Sequence, residues 1–399
     1  MSVGLLSTAQ APQNLNAISF SRAITQLMPN GTAPLFGLTS LLKDEPVSNI
    51  EHGYFSKTMV FPTITSNAAD TSVATTLTVL AYTHVVPGDL LLNERTNEII
   101  LVTGTPTATT LAVQRAVGTT VAAANQIGDN LRSIGNAFEQ GSVRPNAVAV
   151  IAQRHINNTQ IFRNSWAVTK TAAAVPQIAG TGHVNESRAD CATFHAMDIE
   201  KALFFGERFM GTRNGQPFHT MEGIIPRIRT AAPGNVVTLG ATTNWTQFEA
   251  SLDPTLQTVT DPKGGNIRTM FVGGTTRRVI HNIARLNSTY QITAEKTAWG
   301  LQLDTIRTPR GTFEIIEHPL FNAYGSNSMW ARMAVICDLN AFSLGYLRKT
   351  ADESYNESGQ QVDAGIDARG GTLTTELTCL IKNPAAFGLI LNFTAGAAG

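Results

Sequence analysis

Excess charge of either sign is the first thing this 399-residue chain lacks, since 29 lysines and arginines are matched by 29 aspartates and glutamates. A dedicated nucleic-acid binder carries a basic surplus, so contact with DNA or RNA is expected to be weak and local. Cysteine is scarce too. Cys191, Cys337 and Cys379 are odd in number, far apart and never in a CxxC pair. That pattern excludes a disulfide framework or zinc knuckle and leaves buried free thiols. No run of apolar residues approaches a membrane span. The opening MSVGLLSTAQAPQNLN has neither the basic region nor the apolar core of a secretion signal, so synthesis in a cytoplasm is expected.

Catalytic signatures are missing as well. The eight histidines (His52, His84, His155, His183, His195, His219, His281 and His318) never fall into HExxH or another metal spacing. There is no GxSxG elbow. Glu314, Glu317 and His318 lie close together, but carboxylates beside a histidine are common at strand ends. One stretch, from Phe271 through Gly273-Gly274-Thr275-Thr276 to Arg277-Arg278, has the glycine turn between strand and helix that can cradle a phosphate. It lacks the lysine and spacing of a Walker loop, so the simpler reading is a tight connection capped by Thr275 or Thr276. A nucleotide-binding enzyme using the Gly273-Gly274 turn is the alternative from another class. The expectation is no enzyme, no cofactor and no metal.

Hydrophobic residues make up 43% of the chain and charged ones 15%, enough for buried cores and too apolar for disorder. The length allows two or three domains. The organising stretch is 182–216. Ala189, Ala192, Ala196, Ile199, Leu203, Gly206 and Met210 recur in steps of three and four, the stripe of a helix over about 186–210. Asn185 or Ser187 is the expected cap, and Gly211 with Asn214-Gly215 the expected end. The small first half of the stripe predicts a sheet packed closely against it.

Residues 1–48 mix prolines with short apolar patches and read as an arm that must lie on something else to be ordered. Residues 50–142 turn to strand character. Three short strands, near 89–93, 98–103 and 110–115, are separated by Pro87-Gly88, residues 95–97 and residues 104–106. They predict a small β module inserted in a hairpin whose legs are 50–65 and 129–142. More strand material precedes the helix. Beyond it, a loop and short strand lead to a helix capped by Asn244 and a buried strand at GGNIRTMFVGG. A helix with Val279, Ile280, Ile283 and Leu286 on one side comes next, followed by further strands. Residues 350–371 read as an exposed loop. The apolar run from Thr372 reads as one long strand, or a kinked pair, returning to the sheet beside the long helix. The fold class is α+β.

The order of these parts, and the phrases IGDNLRSIGNAFEQGS, NNTQIFRNSWAVTKTA, DIEKALFFGER and GTRNGQPFHTMEGII, resemble the major capsid (major head) proteins of tailed bacteriophages with the Hong Kong ninety-seven fold. The resemblance covers roughly residues 50–393. It implies an N-terminal arm at 1–48 and an extended loop at 49–143 carrying a β insertion at about 75–128. It further implies a peripheral domain of 144–222 and 372–399 around the spine helix, and an axial domain of 223–371. The implied role is self-assembly as hexamers and pentamers into an icosahedral head around double-stranded DNA. Assembly would occur in the host cytoplasm, and the protein would reside in the virion. Portal, scaffolding and decoration proteins would be partners, contact with packaged DNA would be weak and non-specific, and no membrane would be involved. An encapsulin-like compartment shell is the rival within the same architecture. Lys57, Arg227, Arg229, Arg277, Arg278, Arg348 and Lys349 are candidates for charge contacts between subunits. One branch of the family joins a loop lysine to an asparagine. Lys57 is the only lysine between residues 50 and 142, and no such cross-link is expected.

Overall fold

The computed structural model describes residues 34–39, 44–57, 62–143, 149–176, 181–240, 244–257, 266–286, 293–298, 301–356 and 365–394. Contacts gather into two units, Phe55–His155 and the remainder, Met1–Tyr54 with Ile156–Gly399.

In the unit Phe55–His155, turn residues cut the chain into short alternating strands. Asp89–Asn93 buries every second residue, and Thr110–Gln114 buries Leu111 and Val113. Together with Thr63–Ser66, Thr76–Thr83, Ile99–Val102 and Asn130–Asn136 they close into a six-stranded barrel. Its spatial order is first, second, fifth, fourth, third, sixth. The inward side chains Ile64, Leu77, Leu91, Ile100, Leu111 and Leu131 are at most 1% exposed. At Pro87-Gly88 the amide of Asp89 donates to the Val86 carbonyl, and Gly88 has φ of +95°. This is a turn that demands glycine at its third position. The first and last strands are neighbours, with Ile64 opposite Leu131.

The three expected strands of the module are present. The expected hairpin legs, 50–65 and 129–142, share strand pairing among the described residues only where 63–65 run opposite 130–132, inside the barrel. Glu51–Ser56 pairs with Gln153–Asn158, whereas Thr63–Ser66 and Asn130–Asn136 belong to the barrel. Pro62, with no amide for a ladder, separates the two stretches.

The other unit holds two sheets. A four-stranded sheet runs in the order Glu45–Pro46, Phe342–Tyr355, Ala368–Ile381, Gln160–Thr169. A mixed seven-stranded sheet runs Val236–Thr238, Gly388–Leu391, Ala334–Cys337, Ile267–Val272, Gly311–Glu317, Leu301–Thr308, Thr293–Ala298. Asn244 caps the helix Trp245–Leu256 in a reciprocal capping box with Gln247. The helix Gly274–Leu286 buries Val279, Ile280 and Ile283 against Phe313 and Ile315 of the seven-stranded sheet. The side chain of Leu286 lies outside the described residues, as do residues 1–33 and 40–43 of the expected arm. Its described piece, the short helix Pro34–Thr39, sends Leu35 fully into the core that also holds Ile199, Leu203 and Phe204.

The long helix spans His183–Phe205 rather than 186–210. Gly182 occupies the cap position, and Asn185 and Ser187 stand inside the first turns. The helix stops at Gly206 because two glycines clamp its end. The Gly223 amide donates to the Gly206 carbonyl at 2.7 Å. A Cβ on Gly206 would meet the Ala202 and Met221 carbonyl oxygens at 2.6 and 2.7 Å. Gly211 and Met210 therefore belong to a β-hairpin, Phe209–Arg213 with Gln216–Thr220. Asn214 and Gly215, both with positive φ, form its two-residue turn. The expected short strand further on is the helix Ile224–Ala231.

The buried face of the long helix matches the expected stripe at Ile199 and Leu203 but departs from it over the first half. Cys191, His195, Ile199 and Leu203 are buried, whereas Ala189 and Ala192 are exposed and Ala196 is half-buried. Burying cysteine, isoleucine and leucine removes more apolar area from water than burying alanines, and His195 finds partners on the sheet. Two further corrections concern strand partners. Much of 350–371 is strand rather than loop, at the ends of Phe342–Tyr355 and Ala368–Ile381. The C-terminal apolar run is a kinked pair. Pro384–Ala386 breaks it, so Ala368–Ile381 joins the four-stranded sheet and Gly388–Leu391 the seven-stranded one.

Candidate functional site

Among the described residues no cluster of histidine, cysteine and carboxylate side chains could hold a metal ion, and no helix is long and apolar enough to cross a membrane. What the two units contain instead is a set of buried polar joints between elements remote in sequence.

The tightest joint is Glu200, on the buried face of the long helix and 0% exposed. Its Oε1 accepts from the Leu35 amide at 2.8 Å and pairs with His318 Nε2 at 2.7 Å. Its Oε2 accepts from the Phe36 amide at 2.8 Å. Both amides belong to the first turn of Pro34–Thr39, where helix amides have no intrahelical acceptor. Phe204, Phe271 and Phe321 surround the His318 ring. One carboxylate thus ties the helix Pro34–Thr39, the long helix and the seven-stranded sheet together.

His195 bridges helix to sheet, with Nδ1 2.7 Å from Asn164 Oδ1 and Nε2 2.7 Å from Thr375 Oγ1. Burial pushes its pKa below the ordinary value. Arg268 and Asp338, 2% and 1% exposed, pair at 3.1 Å. Burial lowers the arginine's pKa and Asp338 opposes that shift. The three cysteines are free and buried. Burial pushes the Cys379 thiol up to about 12, so these sulfurs are packing groups.

The barrel has two joints of its own. Glu98 receives Arg115 through two bonds of 2.8 and 2.6 Å and the amides of Ala116 and Ala123 at 3.1 Å each. Burial pushes the Glu98 carboxyl up, but these four donors outweigh it and hold the pKa below its ordinary value. Asp129 takes a fork from Arg95 at 2.8 and 2.7 Å. Arg95 is the main cause of its pKa falling from 3.8 to about 2. A carboxylate depressed in the folded state stabilises fully above its unfolded pKa, and loses that contribution as pH falls through the folded one. The window here is pH 4 down to 2. The effect is on the order of 1 kcal/mol after allowing for solvent screening at the half-exposed Arg95. Urea unfolding at pH 5 and pH 2.5 is expected to show this loss in the wild-type barrel and not in Arg95→Met.

The sequence-chosen cations divide into two groups. Arg277 pairs with Asp304 and Glu317 at 2.8 and 3.1 Å, Arg348 with Glu376 at 2.8 Å and Lys349 with Asp44 at 3.2 Å. Arg227 lies 3.8 Å from Glu222. All four therefore have partners within the chain. Lys57, Arg229 and Arg278 are exposed. The glycine turn is filled by the protein itself. The Gly274 amide donates to Asn322 Oδ1 at 2.7 Å, Asn322 donates to Glu317, and a Cβ on Gly273 would overlap the Ala331 backbone. A carboxylate at that turn repels phosphate. Thr275 and Thr276 do not cap the helix. They lie in its first turn and donate to the carbonyls of Ser326 and of Ala331 and Met333. Sequence reasoning missed Glu200, His195, Glu98 and Asp129. Glu200 carried one signal, a charge set between Ile199 and Leu203-Phe204 in an apolar run.

Large apolar side chains remain at the surface of both units. In the hairpin, Phe209 is 56% and Phe218 39% exposed; on the long helix, Phe194 is 53% exposed. A hollow of about 440 Å³ in the barrel unit is lined by Val86, Leu101, Val102, Phe138 and Val143, with Glu139 the one ionisable residue among its described lining.

An α+β chain with exposed aromatics suits a subunit that packs against others. Its fold is that of phage-type capsids. The capsid of a native GTA particle aligns with 98% of this chain and 100% of its own, at a TM-score of 0.50 and 10% identity. A chain of Mycobacterium phage Bobi aligns over 97% and 99%, at a TM-score of 0.49 and 10% identity. The protein belongs to the SU10 major capsid protein family, whose model matches residues 7–394. It is 37% identical over 405 residues to the major capsid protein of Pseudomonas phage PaMx41, covering 97% of this chain and 95% of that one. Its role is structural, as a self-assembling shell subunit of the virion, and the compartment-shell rival yields to this membership.

Proposed function

We propose that the protein assembles as hexamers and pentamers into the icosahedral head that encloses the double-stranded DNA of a tailed phage. The family match over 7–394 carries this reading. In it, the long helix with the four-stranded sheet is the peripheral domain and the seven-stranded sheet the axial domain. Strand pairing favours moving Phe342–Tyr355 to the former and Gly388–Leu391 to the latter. The barrel is the insertion of the extended loop. A zero net charge limits repulsion among many copies and keeps the grip on packaged DNA weak. Portal, scaffolding and decoration proteins are the remaining partners. Electron microscopy of the expressed full chain, alone and with its phage's assembly proteins, is expected to show closed shells with five-fold vertices. Discrete monomers under every condition would overturn the proposal.

A further inference from the structure

The hairpin after the long helix is rigid at its base and bare at its tip. At the base, the Gly206–Gly223 clamp is reinforced by Asn158 Nδ2, which donates to the carbonyls of Phe209 and Thr220, and by Asn157, which exchanges bonds with the Glu222 backbone. Beyond it the two strands pair only with each other among the described residues. A lone two-stranded ribbon is marginal in water. One of its faces carries Phe209, Gly211 and Arg213, with Phe218 opposite Gly211. The Phe209 ring lies over Gly211, and the two rings stand 6.3 Å apart. The result is an exposed aromatic pair, its rings tilted by 55°, with an exposed cation further along the same face.

The same chain exposes a surface of complementary character. Over its first half the long helix leaves Asp190 and Phe194 exposed. Asp190 and Phe194, one turn apart, share one exposed face that is both apolar and acidic. About 23 Å of helix separates Asp190 from the hairpin's root, so the two surfaces sit toward opposite ends of the helix. Two different patches at opposite ends of one rod give a head-to-tail contact, the kind that closes rings.

We infer that the Phe209/Phe218/Arg213 face of the hairpin seats on the Asp190/Phe194 face of the long helix of a second copy of this chain. The inference rests on the shell reading above and adds a specific subunit contact to it. Aromatic area drives the contact, and Arg213 opposite Asp190 sets its register.

The test is charge exchange in the full chain. Arg213→Asp and Asp190→Arg are each expected to give about tenfold fewer closed shells, because a small loss recurs at every subunit. Their melting transitions should match the wild type, since both positions are exposed. The double exchange should restore the yield. As a second readout, a chain carrying both Arg213→Cys and Asp190→Cys should form a ladder of disulfide-linked oligomers on oxidation. The native thiols are buried and give no ladder of their own. Normal shell yields from both single variants, or a double exchange that rescues nothing and a cysteine pair that stays monomeric, would overturn the contact. The latter result would assign the hairpin to another surface or another protein. Failure of the wild-type chain to form shells would overturn the shell reading itself, and this contact with it.

Discussion

Glu200→Ala is expected to cost about 3–5 kcal/mol of stability, the range for removing one partner from a buried charged network. The substitution strips an acceptor from the Leu35 and Phe36 amides and from His318, all inside the core. Each orphaned donor carries a desolvation cost of about 1–3 kcal/mol. Glu200→Gln should be milder, because its amide oxygen keeps an acceptor, yet its NH2 then faces a donor. Denaturant midpoints measure the loss. A second readout is limited proteolysis, which should release the segment up to Thr39 faster in the alanine variant. A cost below about 1 kcal/mol with unchanged cleavage would mean that the arm is held by Leu35 burial alone.

Arg115→Ala should do comparable damage to the barrel, about 3–5 kcal/mol, by leaving Glu98 buried without its cation. Glu98 has no exposed side-chain surface through which to recover water. The amides of Ala116 and Ala123 remain as donors, but they supply no compensating charge. Removing both partners in Glu98→Ala/Arg115→Ala should recover part of the loss, since no uncompensated charge is then buried. Hydrogen exchange in Ile99–Val102 and Thr110–Gln114 reads this locally. Faster exchange confined to the barrel strands is the expected pattern, and equal protection in the single variant would refute it.

Local signals in the sequence were reliable guides to local structure. Turn residues placed three of the six barrel strands, Asn244 placed a helix start, and the apolar spacing of Val279, Ile280 and Ile283 identified the packed face of its helix. The errors arose where a distant partner decides the outcome. Asn214-Gly215 is a hairpin signal as well as a helix-end signal, and the Gly206–Gly223 clamp that settles the choice joins residues 17 positions apart. The buried face of the long helix followed His195 and its hydrogen-bond partners on two strands, Asn164 and Thr375. Which sheet receives Phe342–Tyr355 or Gly388–Leu391 depends on pairing between remote strands, which periodicity within either strand does not encode. Buried charges such as Glu200 and Glu98 look like solvated surface residues until their donors come together. The capsid assignment was legible because phrases and element order carry it without any of these details.

The barrel's first and last strands hydrogen-bond to each other, Thr63 opposite Arg132. The chain therefore departs and returns at points one strand spacing apart, about 5 Å. A domain with adjacent termini can be exchanged for another without stretching the backbone on either side. That makes this position a natural cassette, where a lineage can acquire, lose or trade a surface module. A laboratory could graft a foreign antigen or enzyme there at one copy per subunit.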